Sequence, residues 1–337
     1  MPGRRSALDL LGDDERELLR RSAPPRRVEP MKAILHDEPF SDPDWIYERK
    51  LDGERCLAYR TPDGVRLRSR TDKLLNNTYP ELVEALEREA SPEFVADGEI
   101  IAFRNGIPSF SRLQGRLGIA DPDRARRTGI AVYYYLFDIP HLEGHDTTAI
   151  PVRARKRLLR GALDFHGHVR YLPHRNREGE RLYVEACRKG LEGLIAKRAE
   201  SRYSGTRSKD WLKLKCSHEQ ELVIGGFTAP QGKRTDFGAL LVGYFEDGAL
   251  RYAGKVGTGF DQRTLADLGR SMRRLERADP PFADVRPIPK GTRWIEPELV
   301  GQFAFSEWTR DGRLRHPRYL GLRDDKRPGE VVRERPQ

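Results

Sequence analysis

The run Ala131–Ile139 constrains the fold most: it is almost wholly apolar and far too short to cross a membrane. A segment of that kind reads as a central strand, and the flanking sequence supplies neighbours for it. Arg55–Tyr59 and Val65–Ser69 are short strands joined by Pro62-Asp63-Gly64, a strong turn signal. Phe94–Phe103, Leu194–Lys197 and Trp211–Lys215 read as further strands. Helices are predicted over Tyr79–Ala90, where Leu82, Val83 and Leu86 recur at helical spacing, and over Arg153–Leu163 and Glu180–Arg188. Hairpins interrupted by helices in this way give an α+β class, not a doubly wound parallel sheet.

After Ser217 the grain changes. Glu221–Thr228, Ala239–Phe245 and Leu250–Val256 are strand-like, with Glu246-Asp247-Gly248 as a hairpin turn. A helix over Gln262–Arg277 and strands around Val300–Trp308 follow, the pattern of a small Greek-key barrel of the OB type. The expected organisation is a flexible leader over 1–28, a first domain over 29–217, a barrel over 218–332 and a tail over 333–337. Within the leader, Leu8–Leu19 could form one short helix, and Pro24-Pro25-Arg26-Arg27 closes it.

A chain of 337 residues with 37% hydrophobic and 34% charged residues can fill two cores beneath a heavily charged surface. Its 62 Lys and Arg against 52 Asp and Glu leave a net charge of +10, which favours a polyanionic partner. A general bias toward arginine gives the same balance, so charge alone does not decide. Cys56, Cys187 and Cys216 are widely spaced without a C-x-x-C pair, so neither a disulfide framework nor a zinc site is expected. Met-Pro-Gly-Arg-Arg at the start lacks a following apolar segment, and the chain reads as cytoplasmic.

The chemistry centres on Glu48-Arg49-Lys50-Leu51-Asp52-Gly53-Glu54-Arg55. A lysine at a strand end, followed by a tight Asp-Gly turn and an arginine, can present an amine and a guanidinium to one phosphate-bearing ligand. Alone, so short a motif is equally an ordinary surface hairpin. Its company changes the odds. Ser69-Arg70 brings a second guanidinium. Asp97-Gly98-Glu99 sets carboxylates into an apolar strand, and Tyr135-Leu136-Phe137-Asp138 offers a ring for stacking. Glu192-Gly193-Leu194-Ile195-Ala196-Lys197 adds a carboxylate at a strand start. Trp211-Leu212-Lys213-Leu214-Lys215 alternates with period two, lysines on one face and leucines on the other. Each piece has a bland reading as turn, core or solvated strand; the ordered set does not.

Attack on an α-phosphate needs an uncharged amine, whereas a free lysine titrates near ~10.4. Lys213 and Lys215 beside Lys50 would disfavour its ammonium form and help to neutralise a triphosphate. No G-x-x-x-x-G-K-[ST] loop is present, so a P-loop mechanism is excluded.

The ordered set resembles the covalent nucleotidyltransferase superfamily of ATP-dependent DNA ligases, RNA ligases and capping enzymes. Within it, residues 29–332 resemble the ligase module of bacterial end-joining DNA ligases. Glu29-Pro30-Met31, Ser109-Phe110, Leu113-Gln114 and the stretch Arg313–Lys326 add to the likeness. The resemblance implies a nucleotidyltransferase domain of ATP-grasp-like antiparallel sheets with helices, followed by an OB-fold domain. It implies that Lys50 becomes adenylated, that Glu48 reads the adenine and that Phe137 stacks on it. Arg55 and Arg70 would contact phosphate or ribose, Glu99 the ribose or a metal, and Glu192 the catalytic metal. Arg207 would contact the nucleotide, Lys213 and Lys215 the α-phosphate, and Arg315 and Lys326 would serve the C-terminal motif that orients pyrophosphate.

ATP and Mg2+ (or Mn2+) are the implied cofactors, and nicked or broken duplex DNA the implied partner. A monomer at the nucleoid is expected, with no membrane. This length leaves no room for polymerase and nuclease modules, so the chain is either stand-alone or works with separate partners such as a Ku-type end-binding protein. The alternatives are an RNA ligase or capping-type enzyme sharing the Lys50 chemistry, and a non-catalytic nucleic-acid binder on a ligase scaffold.

Overall fold

The computed structural model describes residues 6–216, 218–230, 236–309 and 311–334. The chain divides into two compact units, Met1–Cys216 and Ser217–Arg335. Ser217, at the expected domain boundary, and residues 335–337 of the expected tail lie outside the described residues.

In chain order the first unit is built on β1 (Trp45–Lys50), β2 (Glu54–Thr61), β3 (Phe94–Arg104), β4 (Val132–Leu142), α1 (Val152–Ala162), α2 (Gly179–Arg188), β5 (Gly193–Arg198) and β6 (Arg207–Lys215). Strands β2, β3 and β4 pair antiparallel in the middle of one sheet. The apolar run forms β4, with β3 on one edge and Val169–Tyr171 and His145–Asp146 on the other. Val132, Tyr134, Leu136 and Ile139 are wholly buried there, packed with Leu158 and Leu159 of α1.

A second sheet runs His174–Asn176, β1, β5, β6 and Lys32–Leu35. Alternation gives it two unlike faces. Trp45, Tyr47, Leu194, Ala196 and Leu214 pack beneath Leu182 and Ala186 of α2. The opposite face turns toward the first sheet: Trp211 and Ile195 join Phe137, Met31, Leu172 and Tyr203 in one cluster. The sheets are antiparallel in the main, as expected, but Lys32–Leu35 pairs parallel with β6, and Val169–Tyr171 parallel with β4.

Two expectations need correction. Part of the stretch expected to be a flexible leader is docked: Ala7 and Leu11 are buried in the core of the first sheet, and Arg20–Arg21 pairs with His145–Asp146. Its apolar residues, few among many charges, suffice to seat it, and Glu15 pairs with Arg157 of α1. Nor are the cysteines all free, because Cys187 at the end of α2 is bonded to Cys216 just past β6. They stand 29 residues apart in sequence, and only the packing of α2 under the sheet brings them together.

The second unit continues with β7 (Glu219–Thr228), β8 (Leu240–Glu246), β9 (Ala249–Val256), α3 (Gln262–Arg273), β10 (Thr292–Ala304) and β11 (Arg318–Leu322). The sheet order is β9-β8-β7-β10, with β11 on the far edge of β10. Register shifts in β7, β8 and β10 curl it around a core of Leu222, Ile224, Val242, Val300 and Phe303, closed by Leu268 and Met272 of α3. This is the OB-type arrangement. The predicted helix stops at Arg273, and its last residues, Glu276–Arg277, pair instead with β10.

Candidate active site

Lys50 is the last residue of β1, on the same face as Glu48. Two close approaches fix the neighbourhood. A Cβ on Gly53 would lie 2.2 Å from the Ile100 carbonyl oxygen, so only glycine lets the chain turn after Lys50. Asp52 secures the same turn by accepting from the Phe110 backbone N–H at 2.9 Å. Gly193, with φ of 143°, would place a Cβ 1.9 Å from the Leu214 carbonyl oxygen.

Gly193 stands between Lys50 on β1 and Lys215 on β6 in one cross-strand row. In the next row on that face, Ile195 stands between Glu48 and Lys213. The second sheet thus brings Lys50, Lys213, Lys215 and Glu48 onto one surface, lysines toward one end and the carboxylate behind. Glu192, immediately before β5, is ion-paired through Oε1 with Lys50 Nζ, while its Oε2 is buried without a hydrogen-bond partner. The Lys50 amine, expected beside the cations Lys213 and Lys215, is thus held in an ion pair with a carboxylate.

The facing wall comes from the first sheet, where Arg55, Glu99 and Tyr135 share one row across β2, β3 and β4. Arg55 is committed: its Nε and Nη2 donate to Asp97 at 2.5 and 2.6 Å, and its guanidinium lies 4.5 Å from the Phe137 ring centre. Tyr203 Oη donates to the same fully buried Asp97 at 2.5 Å. Burial opposes the Arg55 charge, but Asp97 more than restores it and raises the Arg55 pKa. Phe137 is itself buried, edge-on to Trp211, with Lys197 Nζ 4.5 Å from its centre. Arg70 follows the strand Gly64–Ser69, whose Ser69 is opposite Cys56, one residue from Arg55.

Glu48 is the most enclosed of the predicted residues, at 1% exposure. Lys156 Nζ from α1 donates to Oε1 at 2.5 Å, and Lys197 Nζ lies 2.8 Å from Oε2. Burial alone would raise the Glu48 pKa; the two ammonium groups outweigh it and hold the carboxyl below the usual range. Burial brings Lys197 down to about 8. Beside them His174, opposite Glu48 across the sheet, is pushed down to about 4 by burial and by Lys156. Behind Phe137, Asp138 would be raised by burial but is held low by Arg155.

Asp97, Lys156, Lys197, Tyr203 and Trp211 thus belong to this site although the sequence reading did not single them out as site residues. A signal for Lys156 existed: four residues after Val152 and three before Leu159, it falls on the apolar stripe of α1. Tyr203 had none.

Arg207, Arg315 and Lys326 have partners of their own. Arg207 begins β6, six residues or ~20 Å of extended chain from Lys213, and is exposed with a contact to the Ala33 carbonyl at 3.4 Å. Arg315 and Lys326 belong to the second unit, where Arg315 pairs with Glu307 at 2.5 Å and Lys326 with Glu221 at 2.9 Å. Among the described residues no group of three or more His, Cys, Asp or Glu could hold a metal alone. No helix among them is long and apolar enough to cross a membrane.

Comparison with known proteins bears directly on this arrangement. The family described as "ATP dependent DNA ligase domain" matches residues 26–215, and "ATP dependent DNA ligase C terminal region" matches 233–326. The multifunctional non-homologous end joining DNA repair protein LigD of Mycobacterium tuberculosis H37Rv is 38% identical over 299 residues, which cover 86% of this chain and 37% of that protein. The LigD protein of Pseudomonas aeruginosa PAO1 is 35% identical over 321 residues, covering 93% of this chain and 37% of its own length. The chain therefore spans little more than a third of these relatives. A solved structure, mycobacterial DNA ligase D complexed with ATP and MES, aligns with a TM-score of 0.64 at 34% identity, over 91% of this chain and 98% of the other. With its first unit matched almost end to end and its barrel matched after it, the chain belongs to the ATP-dependent DNA ligase family.

Proposed function

We propose that this chain seals nicks or ends in duplex DNA through a lysyl-AMP intermediate on Lys50, in DNA repair by end joining. The observation that carries the reading is the pairing of Lys50 with Glu192 on a face shared with Lys213, Lys215 and Glu48. That face has an amine nucleophile at one end, cations for phosphate beside it and a carboxylate for a base behind it, with the Phe137 ring supplied by the first sheet. The domains that do this work are taken as 29–217 and 218–332.

In the first step Lys50 Nζ forms a P–N bond to the α-phosphorus of ATP, and the bond to the bridging oxygen breaks to release pyrophosphate. Lys213 and Lys215 stabilise the charge that gathers on the α-phosphate. Glu48 accepts from the adenine amine and Phe137 packs on its ring, with Arg55, Arg70, Glu99 and Arg207 serving ribose and phosphate. Arg315 and Lys326, from the second domain, orient the leaving pyrophosphate. AMP then passes to the DNA 5′-phosphate, and the 3′-hydroxyl displaces it to close the backbone.

A divalent cation fits the donor set: Glu192 keeps one buried oxygen without a hydrogen bond, Glu99 lies on the facing wall, and Mg2+ needs few protein carboxylates when phosphates complete its shell. When bound, Mg2+ or Mn2+ neutralises phosphate charge, and its claim on Glu192 would release Lys50. The net charge of +10 supports clamping of DNA. A monomer acting in the cytoplasm at the nucleoid, alongside a Ku-type end-binding protein, completes the proposal.

The test is twofold. Incubation with α-labelled ATP or GTP should label the protein from ATP alone, and nicked DNA should be sealed in preference to nicked RNA. Labelling from GTP would favour a capping-type enzyme, and preferential sealing of RNA an RNA ligase.

A further inference from the structure

Helix α1 carries two adjacent cations, Arg155 and Lys156, both buried at 0–1% exposure, and they hold carboxylates on the two different sheets. Arg155 grips Asp138 through Nε and Nη2 at 2.6 and 3.0 Å, directly behind Phe137. Lys156 crosses to the other sheet and grips Glu48 at 2.5 Å, with a second bond to the Leu172 carbonyl at 2.6 Å and the Tyr171 ring 4.5 Å away. Every donor direction of its ammonium is thus committed, and each Glu48 oxygen has its own lysine.

A buried ammonium on the apolar stripe of a helix is a costly way to fill space, since a hydrophobic side chain of similar volume is often at least as stabilising. What a methylene chain cannot do is orient a carboxylate.

Building on the reading of Glu48 as the base contact, we propose that Lys156 is a positioning residue that sets nucleobase choice, by fixing the Glu48 carboxylate so that it accepts from a 6-amino purine and repels a 6-oxo purine. An ionised carboxylate is acceptor-only, with room for about four hydrogen bonds, so two remain once the lysines are served. An amino group at purine position 6 supplies a donor to them; an oxo group sets oxygen against oxygen. The lowered pKa of Glu48 agrees with this, because a carboxylate that stays ionised cannot donate to the oxo group.

The test compares wild type, Lys156→Met and Lys156→Arg in two assays. One is self-adenylation against its inosine counterpart, using ATP and inosine triphosphate. The other is single-turnover sealing, at saturating enzyme, of nicked duplex already carrying AMP on its 5′-phosphate. Wild type should prefer ATP. Lys156→Met should lose about tenfold of that preference through a higher KM for ATP, while still sealing the pre-adenylated nick at a measurable rate, as a folded enzyme does, and Lys156→Arg should fall between. The inference is overturned if Lys156→Met keeps the wild-type preference. It is overturned equally if both variants lose sealing along with adenylation, or fail to fold, which would make the residue merely structural. A wild-type protein that takes no label from either triphosphate would instead sink the ligase reading itself.

Discussion

The two ends of the proposed nucleotide site are built on opposite plans. At the base end, Glu48, Asp97 and Asp138 are all but wholly buried, and each is locked by one or two cations: Lys156 and Lys197, Arg55, and Arg155. At the phosphate end, Lys50 retains 20% exposure, Lys213 and Lys215 are half-buried, and Glu192 holds one oxygen in reserve. The base end is rigid before any ligand arrives, because breaking a buried, hydrogen-bonded pair leaves an uncompensated charge. On the proposed mechanism the phosphate end must trade partners, and a single exchangeable ion pair permits that. The proposed mechanism thus puts preorganisation where it needs recognition and exchangeable contacts where it changes bonds.

Breaking the exchangeable end should cost most. Glu192→Ala is expected to reduce sealing of pre-adenylated nicks by about a hundredfold or more, on the scale of losing a transition-state charge contact. That sealing should need divalent metal but no added ATP. A wild-type sealing rate in Glu192→Ala would remove this residue from the metal role.

Breaking the rigid end should appear first as instability. Asp97→Asn leaves the Arg55 guanidinium without its counter-charge and weakens the Tyr203 contact. A loss of about 3 kcal/mol is expected, read as a lower midpoint in urea unfolding. A midpoint equal to wild type would show that the buried pair is not holding the wall.

The smallest effect sharpens the comparison through pH. His174 titrates at about 4 in the fold against an ordinary 6.5, because burial and then Lys156 disfavour its charged form. Between those values the unfolded chain binds a proton that the folded chain refuses, so stability rises with pH across the window. Below about 4 both forms are protonated and the penalty is complete; above 6.5 it is absent. His174→Gln should flatten the dependence of the unfolding midpoint between pH 4 and 6.5 relative to wild type. An unchanged slope would mean that His174 is not held neutral by this pocket.

What the sequence made legible follows the same division. Periodicity found β4, the alternation of Trp211–Lys215 and the helices, because burial of whole faces leaves a repeating trace. That Lys50, Lys213 and Lys215 share one face was also readable, since strand alternation sits in short local motifs, and Glu192 pairs with Lys50 beside them. The buried bracing was not. α1 has the sequence Val-Arg-Ala-Arg-Lys-Arg-Leu-Leu-Arg-Gly-Ala, where most cations look like a solvated face, and only the phase of the helix separates Lys156 from exposed neighbours. Tyr203 reaches Asp97 across 106 residues, and Cys187 reaches Cys216 through the seating of α2, distances over which no local pattern carries information. Phe137 looked like core and is core by burial, packed with Tyr203 and Trp211.

The central claim is that Lys50 is the residue that takes AMP. Wild-type protein incubated with α-labelled ATP and divalent metal, digested and mapped by mass spectrometry, should carry one AMP on the peptide containing Lys50. Lys50→Ala should carry none while still binding DNA. AMP mapped to another lysine, or label persisting on Lys50→Ala, would contradict the account.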